Sequence, residues 1–578
     1  MAVAIKRYFV PINGAQIHVR RADPATGPGP AVILLHPSPQ SGTFSIPMAL
    51  KLAAKGFTAI AVDLPGYGLS DPLVGGYPKG LNHEHGLDPY LPPYVQLLDA
   101  LNIDKAAFYG NATGAEISHI FAYNHPNRTA VAMLDTAGHV SDEEVNKITD
   151  GYFPDTTPRR DGGHLLIYWD MVRFLSIFAP WQYTDKAHRL PLDQPPADKI
   201  HEKLIEYLRA GTNYADAYRP AFYTAKGPLI SRVKVPATLT RWEGKANIAE
   251  IDALIAYGLP ANFTILRPGP TMDERLDVSV EYLVKNYLKT GKPAPTQPEQ
   301  VDRKSTRIQK IWIDVPGGQL LARVCFAGAG RPILGLHDPA GSSLRLEGIL
   351  AAYAGKRPVI AIDNPNSGES DKILKREEIS TEACARHAIA ALDALGMKEV
   401  DVIGRYSGGQ VAIEMSEQRP GLVKHIVNLG VMMFTEAERA DMLKNYTPSI
   451  APKWDGSHLI TAWMIMRDMN LFWPWYNRTK AGIVQRNAAI DGASVHPRVE
   501  DLLKIGDTYQ NAYAAAFNYP MAEKLKALKV PYLAADMPGS GTYSRQAMVR
   551  AMAPHITTAD LPEDASAWSP LFDSFWSK

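Results

Sequence analysis

At 578 residues the chain exceeds what one hydrophobic core serves, and 46% hydrophobic with 21% charged residues is ordinary globular composition. With 61 Lys and Arg against 60 Asp and Glu the net charge is +1, so no overall field favours nucleic acid or an anionic membrane. A small-molecule partner is the expectation, with no nucleic acid and no membrane.

The N-terminal stretch alternates through Tyr8, Val10 and Ile12, turns at Asn13-Gly14, and resumes at Ile17 and Val19. That is a hairpin signal rather than the unbroken apolar core of a signal peptide, and no run approaches the roughly 18 apolar residues of a membrane span. Short apolar runs follow at Ala31–Leu35, Thr58–Val62, Ala106–Tyr109 and Ala130–Leu134, separated by longer amphipathic stretches. Such alternation predicts parallel strands covered by helices. Each run ends in a motif: His36-Pro37-Ser38-Pro39, then Asp63-Leu64-Pro65-Gly66-Tyr67-Gly68-Leu69-Ser70-Asp71, then Gly110-Asn111-Ala112-Thr113-Gly114, then Asp135. From about 140 to 230 the alternation gives way to a helical, aromatic-rich insertion carrying Asp161-Gly162-Gly163-His164-Leu165, Trp169 and Tyr218.

The same motifs return in the same order. His337-Asp338-Pro339, Asp363-Asn364-Pro365-Asn366, Gly404-Arg405-Tyr406-Ser407-Gly408 and Asp455-Gly456-Ser457-His458-Leu459 repeat the first set at offsets of 294 to 301. Chance matches do not keep order and spacing, so the chain contains two copies of one domain. The expected organisation is a domain at 1–290 with an insertion about 140–230, a Pro-rich linker at 291–306, and a domain at 307–578 with an insertion about 435–525.

The order of these motifs resembles the α/β-hydrolase superfamily, over nearly the whole chain and twice. The implied architecture is a tandem of two α/β-hydrolase domains, each a mostly parallel sheet with flanking helices and a helical cap insertion. In that family a loop after the third strand supplies an oxyanion-binding amide, and a G-x-S-x-G elbow after the fifth holds the nucleophile. Each half is also similar to bacterial α/β-hydrolase-like proteins with a G-x-H-T-G-A elbow and a D-G-x-H-L cap motif.

Both halves depart from the hydrolase pattern where the chemistry sits. The elbow position holds Ala112 in the first and Tyr406 in the second, with Ser407 one place late. The acid position is open to Glu243 or Asp536, but no histidine follows the next strand in either half. Three accounts stand: a substituted side chain at Ala112, a reassigned chemistry, or a duplicate kept as support. Replacement acid–base groups are sought in His164 and Asp161, three apart and on one helical face, and in their counterparts His458 and Asp455. Asp161 also reads as a helix N-cap. His36 and His337, at the head of the oxyanion loops, and Asp135 and His139, after the fourth parallel strand, complete the candidates. Pro37, Ser38, Thr113, Trp169 and Tyr218 are the candidate substrate contacts.

The two cysteines, Cys325 and Cys384, lack metal-ligand spacing and suit a reduced, cytoplasmic setting. Metal, phosphate-loop and dinucleotide motifs are absent, so neither metal nor cofactor is expected. The leading functional expectation is a hydrolase of a small, moderately apolar ester, lactone or C–C substrate in the first domain, with the second degenerate. A cofactor-free lyase or decarboxylase using histidine, and a non-catalytic binding protein, are the alternatives. Two copies of such a fold are compatible with an intramolecular pseudo-dimer.

Overall fold

The computed structural model describes residues 4–81, 83–244 and 248–577. The chain forms two compact units, Met1–Thr156 with Ile167–Val301, and Thr157–Leu166 with Asp302–Lys578.

The first unit is built on eight strands: β1 (Ile5–Ile12), β2 (Ala15–Ala22), β3 (Ala31–Leu35), β4 (Thr58–Val62), β5 (Ala106–Asn111), β6 (Thr129–Asp135), β7 (Ala237–Thr240) and β8 (Phe263–Leu266). Their order is β1-β2-β4-β3-β5-β6-β7-β8. β1 and β2 form the expected antiparallel hairpin, Ile12 opposite Ala15, with Gly14 at φ +77° closing the turn. The pairs from β3 and β4 to β8 are parallel. Ala31–Leu35 and Thr58–Val62 are buried at every position, which is why these strands read as unbroken apolar runs rather than alternating ones. After β3 the chain steps to β4 on one side and later to β5 on the other. That reversal opens a crevice at the carboxyl ends of β3 and β5, where an open α/β sheet places its site.

Between β6 and β7 lie the helices Asp142–Thr149, Gly163–Phe174, Ala197–Ala210 and Tyr218–Thr224. Their aromatic residues pack on one another, with Tyr152–Tyr218 and Tyr168–Tyr214 edge to face at 5.7 and 5.9 Å and Tyr218–Phe222 stacked at 5.6 Å. Tyr67, from the loop after β4, ties this layer down: its hydroxyl accepts from the Ala217 N–H at 2.9 Å and donates to the Tyr214 carbonyl at 3.0 Å. The stretch whose composition suggests a linker is tied to the first unit as far as Gln300. Ala294 N–H donates to Gly29 O, Arg21 to Pro295 O, and the Gln300 side chain accepts from Phe9 N–H.

The second unit repeats the topology with β9 (Gln309–Val315), β10 (Gly318–Cys325), β11 (Ile333–Leu336), β12 (Val359–Ile362), β13 (Val400–Arg405), β14 (Val423–Leu429), β15 (Tyr532–Asp536) and β16 (Thr557–Asp560), in the order β9-β10-β12-β11-β13-β14-β15-β16. Helices Glu436–Asn445, Ser457–Asp468, Gly492–Ile505 and Tyr509–Asn518 lie between β14 and β15. Thr157–Leu166 packs within this unit, where the Trp463 indole donates to Arg160 O at 3.0 Å. No helix among the described residues is long and apolar enough to cross a membrane.

The glycines of the elbow are fixed by close approach. A Cβ on Gly114 would lie 2.2 Å from Leu35 O, on backbone that has nowhere to move, whereas one on Gly348, within the helix Leu344–Ala351, meets nothing within 4 Å. Gly114→Ala is therefore expected to destabilise the protein by about 1–3 kcal/mol or more. Gly348→Ala should stabilise it by roughly 0.5–1 kcal/mol. Urea denaturation of the two variants, opposite in sign for the same chemical change, checks this.

Candidate active site

Both elbows keep a nucleophile-bearing backbone without a nucleophile. Ala112 sits at φ 47°, ψ −117° and Tyr406 at φ 50°, ψ −111°, a conformation that costs a residue with a Cβ of order 1–3 kcal/mol. The turn is held by its main chain. Ala112 N–H donates to Asp135 O at 3.1 Å and to Thr136 Oγ1 at 2.9 Å, while Ala112 O accepts from Ala115 and Glu116 to start the helix Thr113–Asn124. Tyr406 N–H donates to Leu429 O at 3.0 Å in the same way.

The loop after β3 brings a second backbone donor to this turn. Ser38 N–H reaches Thr113 Oγ1 at a long 3.4 Å, and Thr113 N–H belongs to the first helical turn, whose donors have no intrahelical acceptor. The loop after β3 and the first turn of the helix thus meet beside Ala112, with the Ser38 N–H directed at the Thr113 hydroxyl; backbone donors of this kind are what a developing oxyanion needs. His36 holds the loop in place. Its Nδ1 bonds Pro37 O at 2.9 Å and its Nε2 accepts from Leu64 N–H at 2.9 Å, and burial lowers its pKa so that the ring is neutral. His337 makes the same two bonds, to Asp338 O at 2.7 Å and from Asn364 N–H at 2.9 Å. Both histidines expected as possible acid–base groups thus use both ring nitrogens to brace a loop. Their shared pattern also sets the register between the copies, which places Pro339 where Ser38 stands. Proline carries no N–H, so the second unit lacks that donor.

The remaining candidates are engaged away from the elbow. Asp135 is buried in a bidentate pair with Arg275, at 3.1 and 2.6 Å, and also accepts from Tyr109 Oη and Asn111 Nδ2. Arg275 in turn stacks its guanidinium 4.9 Å over Trp242. Glu243 is exposed and pairs with Arg241 at 3.3 Å. His139 accepts from Gly227 N–H at 3.1 Å and lies against Tyr257. In the second unit Asp536 accepts from Met537 N–H, Ser540 Oγ and Thr542 Oγ1 at 2.8, 2.6 and 2.7 Å.

The cap motif also differs from expectation. His164 belongs to the second compact unit: its Nδ1 accepts Arg159 N–H at 3.1 Å, which leaves the proton on Nε2, 3.0 Å from His496 Nδ1. Burial, then the charge of His496, pushes its pKa down to about 4. Its direction is set by the left-handed turn at Gly162, which precedes the helix. Asp161 is exposed and accepts from Gly163 N–H at 3.0 Å, and Asp455 accepts from Ser457 N–H at 3.0 Å, so each takes up the first free N–H of its helix from one place before the N-cap, which in the second unit is Gly456. His458 Nδ1 accepts from Lys453 N–H at 3.2 Å, the counterpart of the Arg159 bond. Trp169 is 2% exposed and part of the packed layer. Tyr218 bonds Tyr152 through their hydroxyls at 2.7 Å, and Pro37 is buried with its carbonyl accepting from Gln40 N–H.

A cluster in the second unit escaped sequence reasoning altogether: Asp338, Arg345, Arg405 and Arg498, grouped around Tyr406. Its signal lay in the comparison of the copies, where Pro37, Phe44 and Asn111 occupy the places of Asp338, Arg345 and Arg405.

A family model for the alpha/beta hydrolase fold matches residues 30–163 and 339–459, once in each half. The chain is 29% identical over 132 residues to 2-hydroxymuconate semialdehyde hydrolase from Pseudomonas sp. strain CF600, covering 22% of this chain and 46% of that protein. It is 29% identical over 118 residues to epoxide hydrolase B of Mycobacterium tuberculosis, covering 20% of this chain and 32% of that protein. Both alignments span less than half of the relative's length. Among solved structures, a hydrolase from Pseudomonas aeruginosa aligns over 46% of this chain and 98% of its own, at 16% identity and a TM-score of 0.37.

Two stability measurements follow from this geometry. Glycine adopts the elbow conformation without strain, so Ala112→Gly should raise stability by about 1 kcal/mol despite glycine's greater freedom in the unfolded chain. Arg275→Met leaves the buried Asp135 carboxylate without its counter-charge and should cost about 3–5 kcal/mol by chemical denaturation.

Proposed function

Because the chain belongs to the α/β-hydrolase superfamily, as a tandem of two domains of that fold, we propose that its first unit hydrolyses a small, moderately apolar ester, lactone or C–C substrate while the second is degenerate as a catalyst. One observation carries this reading: the Ser38 and Thr113 amides border an accessible Ala112 in the first unit, whereas in the second Pro339 has no N–H to give and the elbow carries the Tyr406 side chain. The matched relatives named as hydrolases support it.

The substrate carbonyl lies with its oxygen toward the Ser38 and Thr113 N–H groups. These donors cost no reorganisation as negative charge develops on that oxygen. Ala112 offers no side-chain oxygen, so the attacking oxygen is water's. Water adds to the carbonyl carbon and loses a proton to solvent, the tetrahedral oxyanion collapses with cleavage of the bond to the leaving group, and the departing alkoxide or carbanion takes up a proton from solvent. No acyl-enzyme forms, and solvent oxygen ends in the acid product. The helical insertion serves as the cap, with Tyr152, Tyr218 and Phe222 supplying apolar surface above the crevice.

A lyase is the second reading, favoured by the absence of a nucleophilic side chain at Ala112, since such a reaction requires none. The same amides would stabilise an enolate, and C–C cleavage would proceed without adding solvent oxygen to the product.

A panel of an aryl ester, a lactone and a diketone, turned over in oxygen-18 water, separates these readings. Labelled acid is expected, and unlabelled cleavage products would replace hydrolysis by the lyase. Ser38→Pro, which copies Pro339, should lower kcat by about 10²–10³ with little change in KM. Thermal melting establishes that this variant is folded. If the native protein, Ala112→Ser and Ala112→His neither turn over nor bind any member of the panel, the proposal fails.

A further inference from the structure

The second unit keeps a cavity although it has lost the oxyanion donor and any elbow nucleophile. It is open to solvent, about 720 Å³ with that open part counted, and its lining includes Met466, Trp473 and Tyr513 together with Asp338, Arg345, Arg486 and Arg498. Its charges are poorly satisfied by one another. Asp338 is shared between Arg345 at 3.8 Å and Arg405 at 3.7 Å, distances of ion pairs without hydrogen bonds, and both Asp338 Oδ1 and Arg405 Nε are buried without a hydrogen-bond partner. Arg345 is balanced a second time by Asp501, at 3.3 Å. Arg498 donates to the Asn470 side chain at 3.0 Å and, among the described residues, has no carboxylate at ion-pair distance. Burial, then the repulsion of Arg345 and Arg405, lowers its pKa to about 10, which leaves it charged at neutral pH.

These charges are not part of the shared fold. The positions of Asp338, Arg345 and Arg405 are Pro37, Phe44 and Asn111 in the first unit, so the two copies share a scaffold and differ where the cavity's electrostatics are set. A guanidinium without a carboxylate of its own, in a cavity that also presents Met432, Met466, Met469 and Trp473, calls for a ligand with one anionic head and an apolar body. A planar fork of N–H donors matches a carboxylate in particular.

We propose that the second unit's cavity is a binding site for a small organic carboxylate with an aromatic or unsaturated body, whose head pairs with Arg498 while its body lies against Trp473, Met466 and Tyr513. The phenol of Tyr406, 5.5 Å beneath the Arg405 guanidinium and on the cavity wall, offers a further donor to that head. Ester and lactone hydrolysis release a carboxylate, so the ligand class coincides with the product class of the proposed reaction. The site stands on its own residues and does not require turnover in the first unit.

Titration calorimetry of the full chain with cinnamate, its neutral amide and inorganic phosphate tests the assignment. Cinnamate should bind at least about tenfold more tightly than cinnamamide, and phosphate, lacking the apolar body, should bind more weakly than cinnamate. Arg498→Gln should weaken cinnamate about tenfold or more and leave the amide unchanged. Asp338→Asn, which removes the internal competitor for the guanidiniums, should tighten cinnamate severalfold, a gain that a folding defect cannot imitate. Equal binding of acid and amide, tighter binding of phosphate than of cinnamate, or no effect of either substitution would overturn the proposal. Loss of oxygen-18 incorporation in the first unit would leave these titrations untouched, so the two proposals fail separately.

Discussion

The structure depends on one close approach, where the helix that follows β5 starts so near β3 that only backbone fits between them. Gly110 lies against Gly114, and Gly114 against the Leu35 carbonyl, with added Cβ atoms at 2.0 and 2.2 Å. Gly404 and Gly408 repeat the contact in the second unit, at 2.4 and 2.1 Å. That spacing forces the residue between the two glycines into a left-handed turn, whatever its side chain. Ala112 and Tyr406 accordingly hold nearly the same φ and ψ, although neither suits the conformation and neither is a catalytic nucleophile. The turn is a property of how strand and helix meet, so it outlasts the chemistry it once presented.

Around that fixed point the polar groups have settled into structural pairs. Asp63 takes hydrogen bonds from Gly42 and Leu69 N–H and from the His18 and Arg20 side chains, which orders the loop after β4. His36 clasps that loop to its own through Leu64. Asp135, at the end of β6, is neutralised by Arg275 from the helix Met272–Asn286. In a low-dielectric interior a carboxylate or an imidazole without a partner is costly, so each such group is held by whichever donor lies near. What the elbow of the first unit retains is therefore backbone: the Ser38 and Thr113 amides beside Ala112.

The fold was legible because its signals are short-range. Fully buried parallel strands must be continuous apolar runs, and Ala31–Leu35 and Thr58–Val62 read that way at once. The elbow, too, was visible in the spacing of Gly110 and Gly114. Side-chain destinations were not. His164 was placed over the first crevice because a spacing of three puts it on the face of Asp161, but its direction follows from Gly162 and from partners such as His496, more than three hundred positions away. Asp135 was read as an acid because nothing in the sequence near it shows that Arg275 would reach it. Pro339 was visible as a residue yet silent as a loss, since its meaning depends on His337 and His36 making the same pair of hydrogen bonds.

The charged cavity shows what a duplication permits. On the function proposed above, the first copy carries the reaction and the second, with Pro339 and Tyr406 at the corresponding positions, is free to differ. Neutral decay would be expected to fill the vacated space with apolar side chains, because burying charge is expensive unless something answers it. Arg345, Arg486 and Arg498 instead line the cavity and Arg405 lies over its Tyr406, with Asp338 and Asp501 as the only carboxylates at ion-pair distance from Arg345, Arg405 or Arg498 among the described residues. An arrangement that carries the desolvation cost of three guanidiniums, and leaves Arg498 facing amide and phenol rather than acid, is stable in company with an anion. The second unit is then best understood as a pocket whose electrostatics were rebuilt for binding on a backbone made for catalysis.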